Sequence, residues 1–377
     1  MKLLYITDAL AIYGGLERIL VEKVNLLKKF YGYEIYLITL NQGDHPVLYS
    51  LDPNVKYSDL GILFHKQYDF GGIKRILEIN RLHLLFRRRL QVKIAEIEPD
   101  VIICARIDLL KTIDKVKGDI PLVFESHTYR RTTEMEGATF FTHMKSWMYR
   151  RYEKLPQMIV TLTDGDAQDW KTRNPNICVI PNVVNLNNSG SYSDCVSKSV
   201  IFVGRFSKQK DIRSLLSIWK IVHKAHPDWS LHIYGGYGSE QDQLLPEIKR
   251  MDANITVYDP IPNILDKYHE NSILLLTSIY EPFGLVLPEA MSCGLPVVAF
   301  DCPYGPADII TDGVDGFLIK ERDVNLFAEK VSLLMDDVNL RRTMGQAGII
   351  SAQRYTAERI MPEWKQLFDQ MIDKQIS

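Results

Sequence analysis

Short apolar runs alternate with longer stretches of helical periodicity from the first residues of the chain. Residues 2–7 (KLLYIT) form the first run, a loop holding Gly14 and Gly15 follows, and an amphipathic stretch over 17–29 leads to a second run at 34–40. Apolar runs of this length bounded by turn residues read as buried strands of a parallel sheet, with the periodic stretches as helical crossovers. Further strands are expected at 101–105, 122–125, 158–162 and 177–180. A polar stretch at 185–199 reads as a linker. The cycle then restarts, with strands at 199–203, 230–234, 255–257, 273–277, 297–299 and 316–319. Helices are expected up to Val222 and over 285–293. Residues 355–376 are again helical, and Pro362 inside them predicts a break into two short helices.

Alternation of this kind specifies an α/β protein with two Rossmann-like domains. The expected boundaries are 1–185, 186–354, and a helical tail at 355–377 that packs back toward the first domain. A chain of 377 residues exceeds the size at which one core stops growing, in agreement with two domains. Tandem domains of this type place their ligand in the cleft between them.

The formal charge of −2 excludes a general electrostatic attraction to nucleic acid, so no nucleic-acid partner is expected. The five cysteines are scattered and lack the close pairs of a zinc or redox site, which fits a reducing cytoplasm. Asp8 arrives before any signal-peptide core develops, and no stretch reaches the roughly 20 apolar residues of a membrane span.

Four loops of the second half each follow an expected strand. In the first, Gly204 turns the chain, and Arg205 and Lys210 supply a guanidinium fork and an ammonium suited to a diphosphate. A solvated basic turn is the other reading. In the second, Gly235 and Gly236 admit backbone close to a nucleotide or simply form a tight turn. The third runs from Glu281 through Phe283, Gly284 and Leu285 to Glu289, with Glu281 in the loop and Glu289 in the next helix. One carboxylate can meet sugar hydroxyls and the other a ribose diol, while the helix N-terminus faces the diphosphate. Helix capping with one solvated glutamate would be the structural explanation. The fourth holds Asp301, Tyr304 and Gly305. Together the four loops converge on one sheet edge.

These motifs resemble those of glycosyltransferase family 4, the retaining glycosyltransferases of the GT-B fold, and the resemblance covers nearly the whole chain. Its sharpest part is a pair of glutamates separated by seven residues, met by Glu281 and Glu289. The resemblance implies two Rossmann-like domains whose parallel sheets face each other across a cleft. It assigns Glu281 to donor-sugar hydroxyls, Glu289 to the nucleotide ribose, and Arg205 and Lys210 to the leaving diphosphate. Gly14 and Gly15 are similar to the family's first-domain glycine loop. His127 matches a histidine near the transferred sugar, and Pro181 and Asn182 resemble the motif before the domain crossover. The Asp301 to Pro306 loop is similar to that of members using uridine diphosphate sugars. Asp211 and Tyr304 depart from the pattern, which has glycine and a threonine-like residue there.

The implied activity is metal-independent, retaining transfer of a hexosyl group from a nucleotide sugar, with UDP as the expected nucleotide. No cofactor is expected. The implied acceptor is a glycan or a polyprenyl-diphosphate-linked glycan of bacterial polysaccharide synthesis, held mainly by the first domain. A catalytically silent sugar-binding protein and a nucleotide-sugar epimerase are the alternatives. Asp164 and Asp166 begin a helical pattern and read as an N-terminal cap rather than metal ligands. Lys74, Arg75, Arg81, Arg87, Arg88, Arg89 and Lys93, interleaved with apolar residues, read as a basic helix able to touch an anionic membrane surface or as a solvated helix. Lys145, Trp147, Tyr149, Arg150 and Arg151 form a second such patch.

Overall fold

The computed structural model describes every residue except 13, 129–146, 148, 188, 262 and 377, and the backbone alone at 374–376. It divides into two compact units, Met1–Val183 with Ala357–Ser377, and Val184–Thr356.

The first unit is built on seven parallel strands: β1 (Lys2–Ile6), β2 (Glu34–Thr39), β3 (Lys56–Asp59), β4 (Val101–Cys104), β5 (Leu122–Glu125), β6 (Met158–Thr161) and β7 (Ile177–Val179). Their spatial order is β3-β2-β1-β4-β5-β6-β7. Successive residues of a strand point to opposite faces, and each face has its own core. Leu3, Tyr5, Ile35, Leu37, Ile103 and Val123 pack with the helices Gly15–Tyr31 and Ala357–Ile376. Leu4, Ile6, Ile38, Ile102 and Phe124 pack with Leu82, Phe86, Leu90 and Ile94 of the helix Gly72–Ile97.

The second unit repeats the plan with six parallel strands: β8 (Ser199–Val203), β9 (Ser230–Tyr234), β10 (Ile255–Tyr258), β11 (Ile273–Leu276), β12 (Val297–Phe300) and β13 (Gly316–Ile319). Their order is β10-β9-β8-β11-β12-β13. Around Trp219, Phe202, Phe300 and Phe327 the second core closes.

Three features differ from the sequence-based expectation. Strand β3, with the sequence KYSD, carries no apolar run; it sits at the sheet edge, where a polar strand is tolerated. The tail is one helix, Ala357–Ile376, and Pro362 does not break it. Proline so near the N-terminus removes only one interior bond, and Ile360, Met361, Trp364, Leu367, Phe368 and Met371 are all buried on one side. The polar stretch 185–199 is bound to the second unit instead of hanging as a free linker. Asn187 N–H donates to Ser292 Oγ (3.0 Å), Ser193 N–H to the Cys293 carbonyl (2.9 Å), and Arg341 donates twice to the Cys195 carbonyl (2.9 and 2.8 Å).

Candidate active site

In the second sheet the strand order reverses between β8 and β11, and in an open parallel sheet the crevice at such a reversal is where ligands settle. The loops leaving these two strands are those of Arg205 to Lys210 and of Glu281. Lys210 Nζ reaches Glu281 Oε1 at 2.5 Å, and Ser278 Oγ donates to the same oxygen at 2.6 Å. Main-chain contacts bind the loops further. Ile279 N–H donates to Gln209 O (2.7 Å), Gln209 Nε2 to Tyr280 O (3.1 Å), and Thr277 Oγ1 to the carbonyls of Lys210 and Asp211 (3.0 and 3.1 Å). Arg205 is exposed.

The loop after β12 joins the same constellation. Glu281 N–H donates to Pro303 O at 2.6 Å, and the N–H groups of Tyr304 and Gly305 both donate to Glu281 O at 2.9 Å. Gly305 is demanded by this closeness, since a Cβ there would lie 1.6 Å from the Phe283 carbonyl oxygen. Glu289 is the fourth residue of the helix Val286–Ser292, is buried, and accepts a hydrogen bond from the Tyr268 hydroxyl at 3.3 Å. The structure therefore brings Lys210, Glu281, Tyr304 and Gly305 into contact, with Glu289 in the helix behind them. Phe283 is buried and packs edge-on against Tyr355, centroids 5.2 Å apart. Leu285 is the N-cap of that helix, and Gly284 precedes it with φ 94°.

Gly235 lies beside Gly204, and Gly236 against Val257. A Cβ on Gly235, whose φ is 129°, would sit 2.4 Å from the Gly204 carbonyl oxygen, so the glycine is what lets the two loops run side by side. Asp211 adopts left-handed backbone with φ 45°, tolerable for aspartate, and caps the helix Ile212–Ala225 by accepting from Ser214 N–H at 3.2 Å. Arg322 pairs with Asp211 at 2.5 Å. Sequence reasoning missed Arg322, because nothing in the pattern of residues after β13 relates it to a loop some 110 positions earlier.

In the first unit, the helix Gly15–Tyr31 begins at Gly14, its N-cap, and carries Glu17 in its first turn. Beyond the end of β5, His127 Nε2 lies 2.8 Å from Glu125 Oε2, and the same oxygen pairs with Lys23 from that first helix. All three side chains are at least nine-tenths buried. Burial alone would raise the Glu125 carboxyl, but the charges and hydrogen bonds of Lys23 and His127 override it and hold it down at about 2. Lys23 Nζ also lies 4.3 Å from the Trp364 ring centroid, and Pro181 and Asn182 line a small cavity with both residues.

The Asp164 and Asp166 capping assignment is corrected. The N-cap of the helix Asp164–Lys171 is Thr163, whose hydroxyl accepts from Asp166 N–H at 3.3 Å; the aspartates occupy the first turn, where their charge suits the helix dipole. Among the described residues, no group of three or more His, Cys, Asp or Glu side chains is placed to hold a metal ion. The basic segment is one helix, Gly72–Ile97. Its Leu82 and Phe86 enter the core, whereas Ile73, Ile76, Leu77 and Leu84 are more than half exposed. In the second basic patch Arg151 stacks over Trp147, 4.1 Å from its centroid, and Lys145 lies outside the described residues. No described helix is long and apolar enough to cross a membrane.

Two family models match the chain: Glycosyltransferase Family 4 over residues 13–188 and Glycosyl transferases group 1 over residues 195–350. The amylovoran biosynthesis glycosyltransferase AmsD of Erwinia amylovora is 26% identical over 376 residues, spanning 98% of this chain and 99% of its own. Staphylococcus aureus TarM, solved with UDP, superposes with a TM-score of 0.76 at 16% identity, covering 97% of this chain and 99% of that one. Anabaena HepE, solved with UDP and glucose, gives 0.73 at 18% identity, covering 98% and 100%. The fold of this chain is thus that of the GT-B proteins.

Proposed function

The chain belongs to the GT-B-fold glycosyltransferases, and from that membership we propose that it transfers a hexosyl group from a UDP-linked donor, with retention of configuration, to a glycan or polyprenyl-diphosphate-linked acceptor in bacterial polysaccharide synthesis. The observation that carries this reading is the Lys210–Glu281 contact at the strand-order reversal of the second sheet. The acceptor class follows AmsD, a relative of matching length whose role is amylovoran biosynthesis. UDP follows the ligands of TarM and HepE.

The chemistry must stabilise an oxocarbenium-like sugar and a departing diphosphate together. Arg205 and Lys210 take up the negative charge of the leaving group, a role that asks for no metal ion. Before the donor arrives, Glu281 neutralises Lys210. The diphosphate then claims the ammonium, and Glu281, still held by Ser278, turns its free capacity to the sugar hydroxyls. Glu289 holds the ribose diol. The acceptor is assigned to the first unit, with His127 and the Gly14–Gly15 helix start as its candidate contacts. On the acceptor-side proton, the departing diphosphate oxygen is the base, and the new bond forms on the face the leaving group vacates.

A membrane-bound acceptor also gives a purpose to the helix Gly72–Ile97. Ile73, Ile76 and Leu77, 76%, 59% and 63% exposed, stand among Lys74, Arg81, Arg87 and Arg88, as in a helix lying on an anionic bilayer. Sedimentation with phosphatidylglycerol vesicles should be lost on Ile76→Ser/Leu77→Ser substitution; binding unaltered by both changes refutes the contact.

The activity is tested by incubating UDP-hexoses with polyprenyl-diphosphate-linked oligosaccharides and following UDP release and the anomeric proton of the product. Lys210→Ala should cut turnover about 100-fold or more, the scale of one lost charge-stabilising donor. A product of inverted configuration, or an unimpaired Lys210→Ala variant, contradicts the mechanism.

A further inference from the structure

Arg322 makes a dense set of contacts behind the donor loops, from a position that none of the sequence motifs include. Its Nη1 donates to Ser278 O at 2.7 Å, and its Nη2 donates to Thr277 O at 2.9 Å and to Asp211 Oδ2 at 2.5 Å. The guanidinium carbon lies 4.3 Å from the centroid of the Phe300 ring. A planar fork of five donors suits this combination of one carboxylate and two carbonyls, and a lysine cannot reproduce it.

The backbone around the pair is unusual at both ends. Glu321 and Arg322 have φ of 54° and 52°, and Asp211 has φ of 45°. Left-handed backbone is unfavourable for non-glycine residues and persists where surroundings over-determine it, most often at functional sites. Two of the three, Asp211 and Arg322, form the ion pair, and Glu321 directly precedes Arg322.

The residues gripped by Arg322 are those that hold the Lys210 main chain and the Glu281 side chain. Thr277, whose carbonyl it binds, donates through Oγ1 to the carbonyls of Lys210 and Asp211. Ser278, whose carbonyl it also binds, donates through Oγ to Glu281 Oε1. Asp211 follows Lys210 directly in the chain and caps the next helix.

We propose that Arg322, acting with Asp211, is a positioning residue that fixes the separation of Lys210 and Glu281 and so sets the affinity for the donor diphosphate. The inference rests on the reading of those two residues as donor ligands. Asp211 stands where the resemblance expects glycine, and in this chain its carboxylate gives Arg322 the anchor that a glycine lacks.

The test is calorimetric UDP binding by the full chain carrying Arg322→Lys, Asp211→Asn, or both, with melting temperatures measured in parallel. Asp337→Ala serves as the stability control, since it removes the cap of the helix Val338–Ala352, where Asp337 accepts from the N–H groups of Asn339 and Leu340. Arg322→Lys should weaken UDP about tenfold, and the double variant should be no weaker than the poorer single one to within about twofold, as expected of residues acting through one contact. Asp337→Ala should lower the melting temperature without changing UDP affinity. Wild-type UDP affinity in Arg322→Lys, additive losses in the double variant, or an equal loss in Asp337→Ala would each overturn the proposal. Should Lys210→Ala weaken UDP while Arg322→Lys does not, only the positioning role fails; should the wild type bind no UDP, the donor-site reading fails with it.

Discussion

Replacing Glu125 by glutamine probes the buried charge cluster of the first unit. Glu125 and Lys23 are 2% and 5% exposed in their side chains, so neither charge can turn to water when its partner is lost. Glutamine keeps the size and one oxygen for the His127 contact but leaves the Lys23 ammonium without a counter-charge. Removing one partner of such a buried pair costs about 3–5 kcal/mol, a large share of the stability of a domain. Methionine at position 23 should cost a comparable amount by stranding the carboxylate. The double variant Lys23→Met/Glu125→Gln should cost less than the two losses added, because no bare charge remains. Amide hydrogen exchange read by mass spectrometry suits a two-unit chain, where one melting curve mixes two transitions. Peptides from β1, β4 and β5 should exchange faster in each single variant, whereas peptides from β8, β11 and β12 act as an internal reference and should not change. Unchanged protection of the first unit in Glu125→Gln, or fully additive losses, would refute the ion-pair account.

Other consequences follow from the same geometry. The folded Glu125 carboxyl lies below its ordinary value, so its stabilisation is complete above about pH 4.5 and is lost as the pH falls toward about 2; the stability gap between wild type and Glu125→Gln should close over that window. Gly305→Ala forces a Cβ against the Phe283 carbonyl, so the loop must withdraw from Glu281, with a cost of about 1–3 kcal/mol by urea titration and a loss of UDP affinity. Thr163→Ala should cost about 1 kcal/mol as a lost cap, and Asp164→Ala less, reversing the order expected were the aspartate the cap. Sugar transfer should persist in excess chelator, and its abolition by EDTA would contradict the charge-neutralising role given to Arg205 and Lys210.

The parallel sheets were legible because their central strands are nearly all apolar: VIIC in β4, ILLL in β11 and VVAF in β12 leave no other reading between turn residues. Strand β3 escaped because an edge strand such as KYSD needs no buried pattern. Pro362 misled because the rule against helical proline applies to an exposed interior, and here a fully apolar face offsets one missing bond. The 185–199 stretch read as a linker because its ties to the second unit run through its main chain, Asn187 N–H to Ser292 Oγ and the Cys195 carbonyl to Arg341, a use that composition does not encode. That the Lys210 and Glu281 loops share one sheet edge could be anticipated, since each follows an apolar strand; the order of the strands, and with it the direct contact of the two side chains, could not. The Arg322–Asp211 pair could not, as an isolated arginine beyond β13 carries no periodicity or motif. The cluster of Lys23, Glu125 and His127 shows the same limit: the histidine stood out, and the two charges that fix it did not.

In the proposed chemistry the second unit holds a nucleotide diphosphate between Lys210, Glu281 and Glu289. Titration calorimetry of UDP, GDP, ADP and dTDP into the wild type and Glu289→Ala, first with chelator and then with magnesium, tests it directly. UDP should bind without metal in preference to the others, and Glu289→Ala should weaken it about tenfold or more, the scale of losing a hydrogen bond from a charged group. Absence of diphosphate binding, or binding that requires magnesium and ignores Glu289, would contradict it.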